Sequence, residues 1–416
     1  MMLFIRECKK IFHSLTFIIY FAAVILMFFT QFWPEMDEPV TSSTIDSYEL
    51  AKISGEPETI MPKALDSLTG CYFSNTYRCY PYGLFKAVHL NSRDNDKIRD
   101  CITEMSSLNA DELEELKAAS SISHVKVGTN ELESYNVKGV PLSVDITYER
   151  FREIMGEVDD ILGGGSDYRP DDLAYKFSQE PMTHEEILEQ YDEFMEKDHI
   201  AIAYGRLFSD YLGIILAVIP VFVAAALVTA DKRTKMNELI YSRRISSFRL
   251  VFTRFAALVL TMVIPVLLCG AIASARIMYM YKGSTPDIAG AFAVSGKWLL
   301  PNIMLAAAMG MFISELFSAG MAILVQFAAW FMCMMMTSMP LYGHIRRFTF
   351  ICRHNSLFYR SEFMKHYSDF IFSRIFYTAA ALAAVLLTVF VYELKRGGKF
   401  NGIMFFGKDS IFRHKT

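Results

Sequence analysis

Apolar residues along this chain of 416 are gathered into long runs, and those runs set its architecture. A stretch of ~20 apolar residues is needed to cross a bilayer as a helix. Ile11–Trp33, Leu207–Ala230 and Phe255–Ala275 each meet that length, and Arg374–Glu393 brackets another. Trp298–Leu341 has room for two, joined by a tight turn near Ser314-Glu315-Leu316-Phe317-Ser318. A lone Glu315 is expensive in lipid and comfortable at a turn. The pattern predicts six transmembrane helices. Ahead of the first, MMLFIRECKKIF is basic and amphipathic. Its apolar core is too long for a cleaved signal peptide, and Phe28-Phe29-Thr30-Gln31-Phe32-Trp33 offers no small-residue cleavage site.

Between Pro34 and Arg206 the pattern changes. Helical spacing covers Asn95–Ser120 and Ile146–Leu162, and Ser123–Thr129 and Val140–Thr147 read as short strands. Gly163-Gly164-Gly165-Ser166 breaks the chain. Thr183 followed three residues later by Glu186 is a capping box. A helical pattern then runs to Gly205 and predicts a stalk feeding the second span. The expected fold class is an α-helical polytopic membrane protein with an inserted α+β extracytoplasmic domain. Its parts are an N-terminal segment and first span (1–33), the domain (34–206), a bundle of spans (207–394) and a tail (395–416).

Composition supports this division. The chain is 53% hydrophobic with a mean hydropathy of +0.25. Its net charge of −4 conceals a segregation: residues 34–206 hold 35 acidic against 16 basic residues, and the remainder 10 against 25. Cytoplasmic loops carry the excess of Lys and Arg. The segment 231–249 has six (Lys232, Arg233, Lys235, Arg243, Arg244, Arg249), which places it inside and 34–206 outside. Arg6, Lys9 and Lys10 keep the N-terminus cytoplasmic, and the tail after Glu393 also carries six basic residues. The segment 342–374 dissents. It too has six (Arg346, Arg347, Arg353, Arg360, Lys365, Arg374), yet six spans place it outside, as a re-entrant or interfacial hairpin. Among seven cysteines, Cys71 and Cys79 form the shortest loop a disulfide could close outside the cell. No CxxC pair points to zinc.

Motifs of catalysis are missing. The glycine run at 163–165 is followed by Ser166-Asp167-Tyr168-Arg169 and not by the lysine of a phosphate loop, so it reads as a turn. Met332, Met334, Met335, Met336 and Met339 crowd one span end. They fit adaptable packing better than a copper path, since no Cys or His is spaced to complete a site. Asp210, Pro220, Pro265, Asn302 and Gln326 interrupt spans. Polar groups in lipid raise the question of a transport pathway, with interhelical hydrogen bonds and kinks as the simpler roles.

One segment says more. Asp231 to Ser246 is a short basic loop holding the apolar-polar stretch Met236–Ser242 between two spans. Asp231, Lys232 and Arg233, then Glu238-Leu239-Ile240-Tyr241-Ser242 and Ile245-Ser246, resemble the loop between the second and third spans of ABC-2-type permeases. Asp231 stands where that family usually has Glu, and Arg243-Arg244 where it often has Pro. Arg353-His354-Asn355 before the last span and the ending Tyr392-Glu393-Leu394-Lys395-Arg396-Gly397 resemble the family too. The resemblance implies the membrane subunit of an exporter, paired with a second copy or a paralogue. A separate ATPase binds ATP and magnesium, and docks on Asp231, Lys232, Arg233, Glu238, Leu239, Ser242, Ile245 and Ser246. This chain is then no enzyme, needs no cofactor or metal of its own, sits in a plasma membrane, of bacterial type, and has no nucleic-acid partner. The acidic domain points to a cationic peptide or a metal cation as cargo. The rival class is a membrane sensor whose external domain binds ligand and signals through a partner.

Overall fold

The computed structural model describes residues 2–81, 85–127, 130–233, 245–337 and 345–399. The chain divides into two compact units, one made of Met1–Ile45 with Leu188–Thr416 and the other of Asp46–Ile187.

In the first unit, α1 (Met2–Phe12) ends before Ser14, whose hydroxyl accepts from Phe17 N at 3.2 Å and caps α2 (Leu15–Met27). The expected span from Ile11 therefore starts at Leu15. It continues through a π turn (Phe28–Phe32) and a 3-10 turn (Trp33–Met36).

The second unit contains β1 (Ala51–Ile53), α3 (Pro57–Ser74), β2 (Tyr77–Cys79), β3 (Lys86–Val88), α4 (Ser92–Met105) and α5 (Ala110–Ala119). After these come β4 (Ser121–Val127), β5 (Asn130–Asn136), α6 (Tyr148–Leu162), α7 (Leu173–Phe177) and β6 (Gln179–Pro181). Its strands form three antiparallel pairs, β1–β6, β2–β3 and β4–β5. The core packs α3, α4 and α6 through Leu65, Leu68, Ile98, Ile102, Phe151 and Ile154. Gly70 has to be glycine, because a Cβ there would lie 2.6 Å from Tyr135 O. The helical pattern of 95–120 is two helices: Asn109 starts the second with a capping box to Glu112. Val140–Thr147 is not a strand. Only an isolated bridge, Ser106 to Leu142, forms there, while Val140 is buried in the core. The three glycines 163–165 all have positive φ and make the expected turn.

The chain returns through α8 (His184–Asp192), where Thr183 N donates to Glu186 Oε2 at 2.9 Å and Glu186 N to Thr183 Oγ1 at 3.3 Å, the capping box read from the sequence. The stalk does not run unbroken to Gly205. After a π turn (Glu193–Lys197), His199 and Ile200 both take positive φ, and a new helix begins.

The rest of the first unit is α9 (Ala201–Leu216), α10 (Pro220–Arg233), α11 (Ser247–Met280), α12 (Ile288–Leu316), α13 (Ala319–Thr337), α14 (Arg360–Lys365) and α15 (Tyr367–Arg396). Leu15–Met36, α11, α12 and α15 are long and apolar enough to cross a membrane. The α9–α10 pair, bent by 41°, makes a fifth candidate, and Ala319–Met335 is a shorter apolar helix. Leu260, Leu267, Ile375, Leu386, Leu387 and Phe390 lie on the outside of these helices. Exposed leucines in such number suit lipid and not water. The chain is an α-helical, membrane-embedded protein. The turn expected near Glu315 falls at Phe317–Ser318, so Glu315 itself lies inside α12.

Small residues let these helices approach. A Cβ on Gly205 would lie 3.0 Å from Ala291 Cα, and one on Gly310 would lie 2.8 Å from Ala224 Cβ. Tyr281, just past α11, gathers distant parts of the unit. Its hydroxyl accepts from Val40 N at 2.9 Å and lies 3.2 Å from Tyr204 Oη, while its ring packs on Phe194 at 6.1 Å.

Candidate functional site

A proline cannot donate a backbone hydrogen bond, and the helix before it tends to break. Pro220 does this to the second apolar run, expected to be one continuous span. Around the break Val218 N turns to Ile215 O at 3.1 Å and Val221 N to Val218 O at 3.2 Å. Side chains from neighbouring helices reach the carbonyls near the break. Trp330 Nε1 donates to Ile214 O at 2.8 Å and Gln326 Nε2 to Ala217 O at 2.6 Å. Asn302 Nδ2 donates to Gly213 O at 3.3 Å. In lipid a bare carbonyl costs several kcal/mol, so Asn302 and Gln326 make the bend tenable. Pro265, by contrast, lies buried within α11, which continues through it.

The other end of α9 is held by charge. Arg206 donates to both carboxylate oxygens of Asp198, at 2.7 and 2.5 Å, and Arg360 Nε lies 3.2 Å from the same carboxylate. Asp210 is fully buried. It accepts from the backbone N–H groups of His354 and Asn355, at 2.5 Å in both cases, and from Arg353 Nε. The motif Arg353-His354-Asn355 thus serves to wrap a carboxylate. Arg374 ties the same segment to the bundle. Its guanidinium donates to Thr349 O and Phe350 O at 2.7 Å each, to Asn302 Oδ1 at 2.9 Å and to Trp298 O at 3.3 Å.

Five of the six cations counted in 342–374 have partners of this kind. Arg347 pairs with Asp369 at 3.0 Å and Lys365 with Glu362 at 2.7 Å. Arg353 and Arg360 pair with the aspartates above, and Arg374 is bound to carbonyls. The rule for loop charges concerns solvated cations near the lipid surface. Arg353, Arg360 and Arg374 are mostly buried in their bonds, whereas Arg347 and Lys365 stay 70% and 69% exposed and fall within that rule.

His354 sits inside this wrap, fully buried, with Nε2 2.8 Å from Phe358 O. Nε2 therefore carries the proton of the neutral ring. Burial, and then the charge of Arg206, depress its pKa to about 3. Unfolded histidine titrates near ~6.5. The unfolded chain thus takes up a proton at a higher pH than the folded one, and stability present above ~6.5 is lost as pH falls towards about 3, at ~1.4 kcal/mol per pH unit. The thermal midpoint of the detergent-solubilised chain should fall across this window, and His354→Gln should flatten the fall. Parallel curves for the two proteins would refute the assignment.

A third cluster ties helix ends together. Arg254 of α11 pairs with Glu7 of α1 at 3.4 Å. Lys395 of α15 pairs with Glu315 of α12 at 3.1 Å. Ser247 Oγ bonds Glu393, and Arg396 Nη1 donates to Ile245 O at 2.7 Å. Ser246 caps α11, its hydroxyl accepting from Arg249 N at 3.3 Å. Of the residues expected to contact an ATPase, Ile245 and Ser246 lie here. Asp231, Lys232 and Arg233 end α10, and Glu238, Leu239 and Ser242 lie outside the described residues.

Sequence reasoning singled out Asp210, Asn302 and Gln326 by polarity alone, and missed Asp198, Arg206 and Trp330. Arg206, bordering the apolar run four residues before Asp210, was the signal for a buried charge; Asp198 and Trp330 carry none in the local sequence. Cys71 and Cys79 are not joined; all seven cysteines are free. Cys71 sits on α3 with its Sγ accepting from Tyr168 Oη at 3.3 Å, and burial pushes the Cys79 thiol up to about 11. Among the described residues no group of three or more His, Cys, Asp or Glu is placed to hold a metal ion. An apolar cavity of about 150 Å³ lies between α9, α11 and α12, lined by Tyr204, Phe208, Gly270, Phe292 and Ile303 among others. Compared with protein-family models, curated proteins and solved structures, the chain matches none.

Proposed function

We propose that this chain is the permease subunit of an ATP-driven exporter, energised by a separate ATPase that docks on residues 231–246. The reading has six spans, with α13 as one of them, both termini and 231–249 in the cytoplasm, and the acidic unit 46–187 outside. The observation that carries it is the cluster of helix ends around Ile245, Ser246 and Ser247. A force applied to the 231–246 segment meets α11 directly. Through Ser247–Glu393 and Arg396–Ile245 it reaches α15, through Lys395–Glu315 it reaches α12, and Arg254–Glu7 adds α1. Such bracing suits a part that is pushed by a partner. Further along, α10 meets the bend at Pro220, where side chains of a neighbouring helix hold the carbonyls that the break would bare to lipid. A cationic peptide or a metal cation is the cargo class, by complementarity with the acidic unit.

The test is affinity purification of the full chain from its native membrane. The wild type should bring down a nucleotide-hydrolysing subunit and stimulate its turnover. The Glu238→Ala, Leu239→Ala double variant should insert normally and lose that stimulation by about tenfold or more, about the effect of a disrupted interface anchor. A wild-type preparation with no ATPase, or an undiminished double variant, sinks the reading.

A further inference from the structure

Arg374 poses a problem of charge. Its side chain is only 4% exposed, and its Nε is buried with no partner among the described residues. All its acceptors are neutral: the carbonyls of Trp298, Thr349 and Phe350, the Asn302 amide oxygen and the Ser373 hydroxyl. No carboxylate among the described residues forms an ion pair with it. A guanidinium within a membrane-spanning helix normally meets a counter-charge. It also lines an open groove of about 460 Å³ between α12 and α15. Lys297, exposed and bonded among the described residues to Tyr367 Oη at 3.5 Å, lines the same groove. The other walls are Leu300, Pro301, Ile375, Ala379 and Leu382. Leu300, Ile375 and Leu382 are at least 40% exposed.

The groove is thus cationic at one end and apolar along its length. Arg374 is seven residues into α15 and Lys297 nine into α12, so both lie roughly 10–14 Å along their helices at ~1.5 Å per residue. Leu382 is two turns further on. A free anion would leave the apolar walls bare, and a neutral lipid would leave Arg374 without a counter-charge. We infer that the α12–α15 groove binds an anionic glycerophospholipid, its phosphate at the exposed Lys297, the buried charge of Arg374 behind the groove wall, and an acyl chain along Leu300, Ile375, Ala379 and Leu382. Arginine is suited to phosphate, and basic pockets between membrane helices take up anionic headgroups.

Gly296 provides the test. It lines the groove, as it does the cavity between α9, α11 and α12, and a Cβ added there would meet nothing within 4 Å, so a side chain at this position starts in open space. The full chain in detergent is titrated with phosphatidylglycerol or with phosphatidylcholine of the same acyl chains, and bound lipid is read by native mass spectrometry. Phosphatidylglycerol should bind about tenfold tighter, or ~1.4 kcal/mol. Lys297→Gln should reduce that preference severalfold. Gly296→Leu should abolish the site while the thermal midpoint stays that of the wild type. Equal affinity for the two lipids, or undiminished binding to Gly296→Leu, overturns the inference. So does displacement of the lipid by millimolar inorganic phosphate, which would mark an ion site. A wild-type dimer dissociated by Gly296→Leu with lipid binding unchanged would make the groove an interface between copies, and overturns it too.

Discussion

Alanine at Asp198 should destabilise the folded chain by about 3–5 kcal/mol, the loss expected when one partner of a buried ion pair is removed. Arg206 is 2% exposed, and Asp198 takes two of its N–H groups. Without that carboxylate the guanidinium keeps one weak bond, to Leu357 O at 3.3 Å, and a cation–π contact with Phe363 at 5.5 Å. Arg360 loses the same anion, so the 357–363 stretch loosens together with the start of α9. The Asp198→Ala, Arg206→Ala double variant should be less harmed than the sum of the single variants, because neither charge is stranded. Thermal unfolding of the four proteins in detergent closes this cycle. Additive losses would show that the pair is not coupled.

A leucine at Gly310 should do comparable damage for a steric reason. Even the first carbon of a side chain would lie 2.8 Å from Ala224 Cβ and 3.1 Å from Val221 O. Backbone cannot yield there without moving α10 away from α12. Overpacking of this kind costs about 1–3 kcal/mol, and more when helices must part. Gly310→Ala should fall at the lower end and be partly rescued by Ala224→Gly, which removes the nearest atom. If rescue fails and Gly310→Leu still unfolds at the wild-type temperature, the close approach of these helices is not as described.

The apolar runs announced the helices because membrane helices are long and leave their mark in local composition. The box at Thr183 and Glu186 and the turn after Glu315 were legible for the same reason: each is written in a few adjacent residues. The bend at 217–219 was half legible. Pro220 marks a break, but whether it is tolerated depends on Gln326 and Trp330, over 100 residues further on. Least legible were the ion pairs. Asp210 meets Arg353 across 143 positions, and no periodicity reports that. Nor does a charge count over 342–374 report that Arg353, Arg360 and Arg374 are bound to partners far away in sequence. The Cys71–Cys79 pair failed similarly, because short separation in sequence says nothing about where helix and strand aim their side chains.

The meeting of Val40, Tyr204 and Phe194 at Tyr281 bears on ancestry. The chain leaves the helical unit after residue 45 and re-enters it at 188, and both flanking stretches are fastened to the same phenol. The bundle therefore closes on itself at the point where the intervening unit is spliced in. A lineage could exchange that unit for another, enlarge it or shed it by altering two short joins.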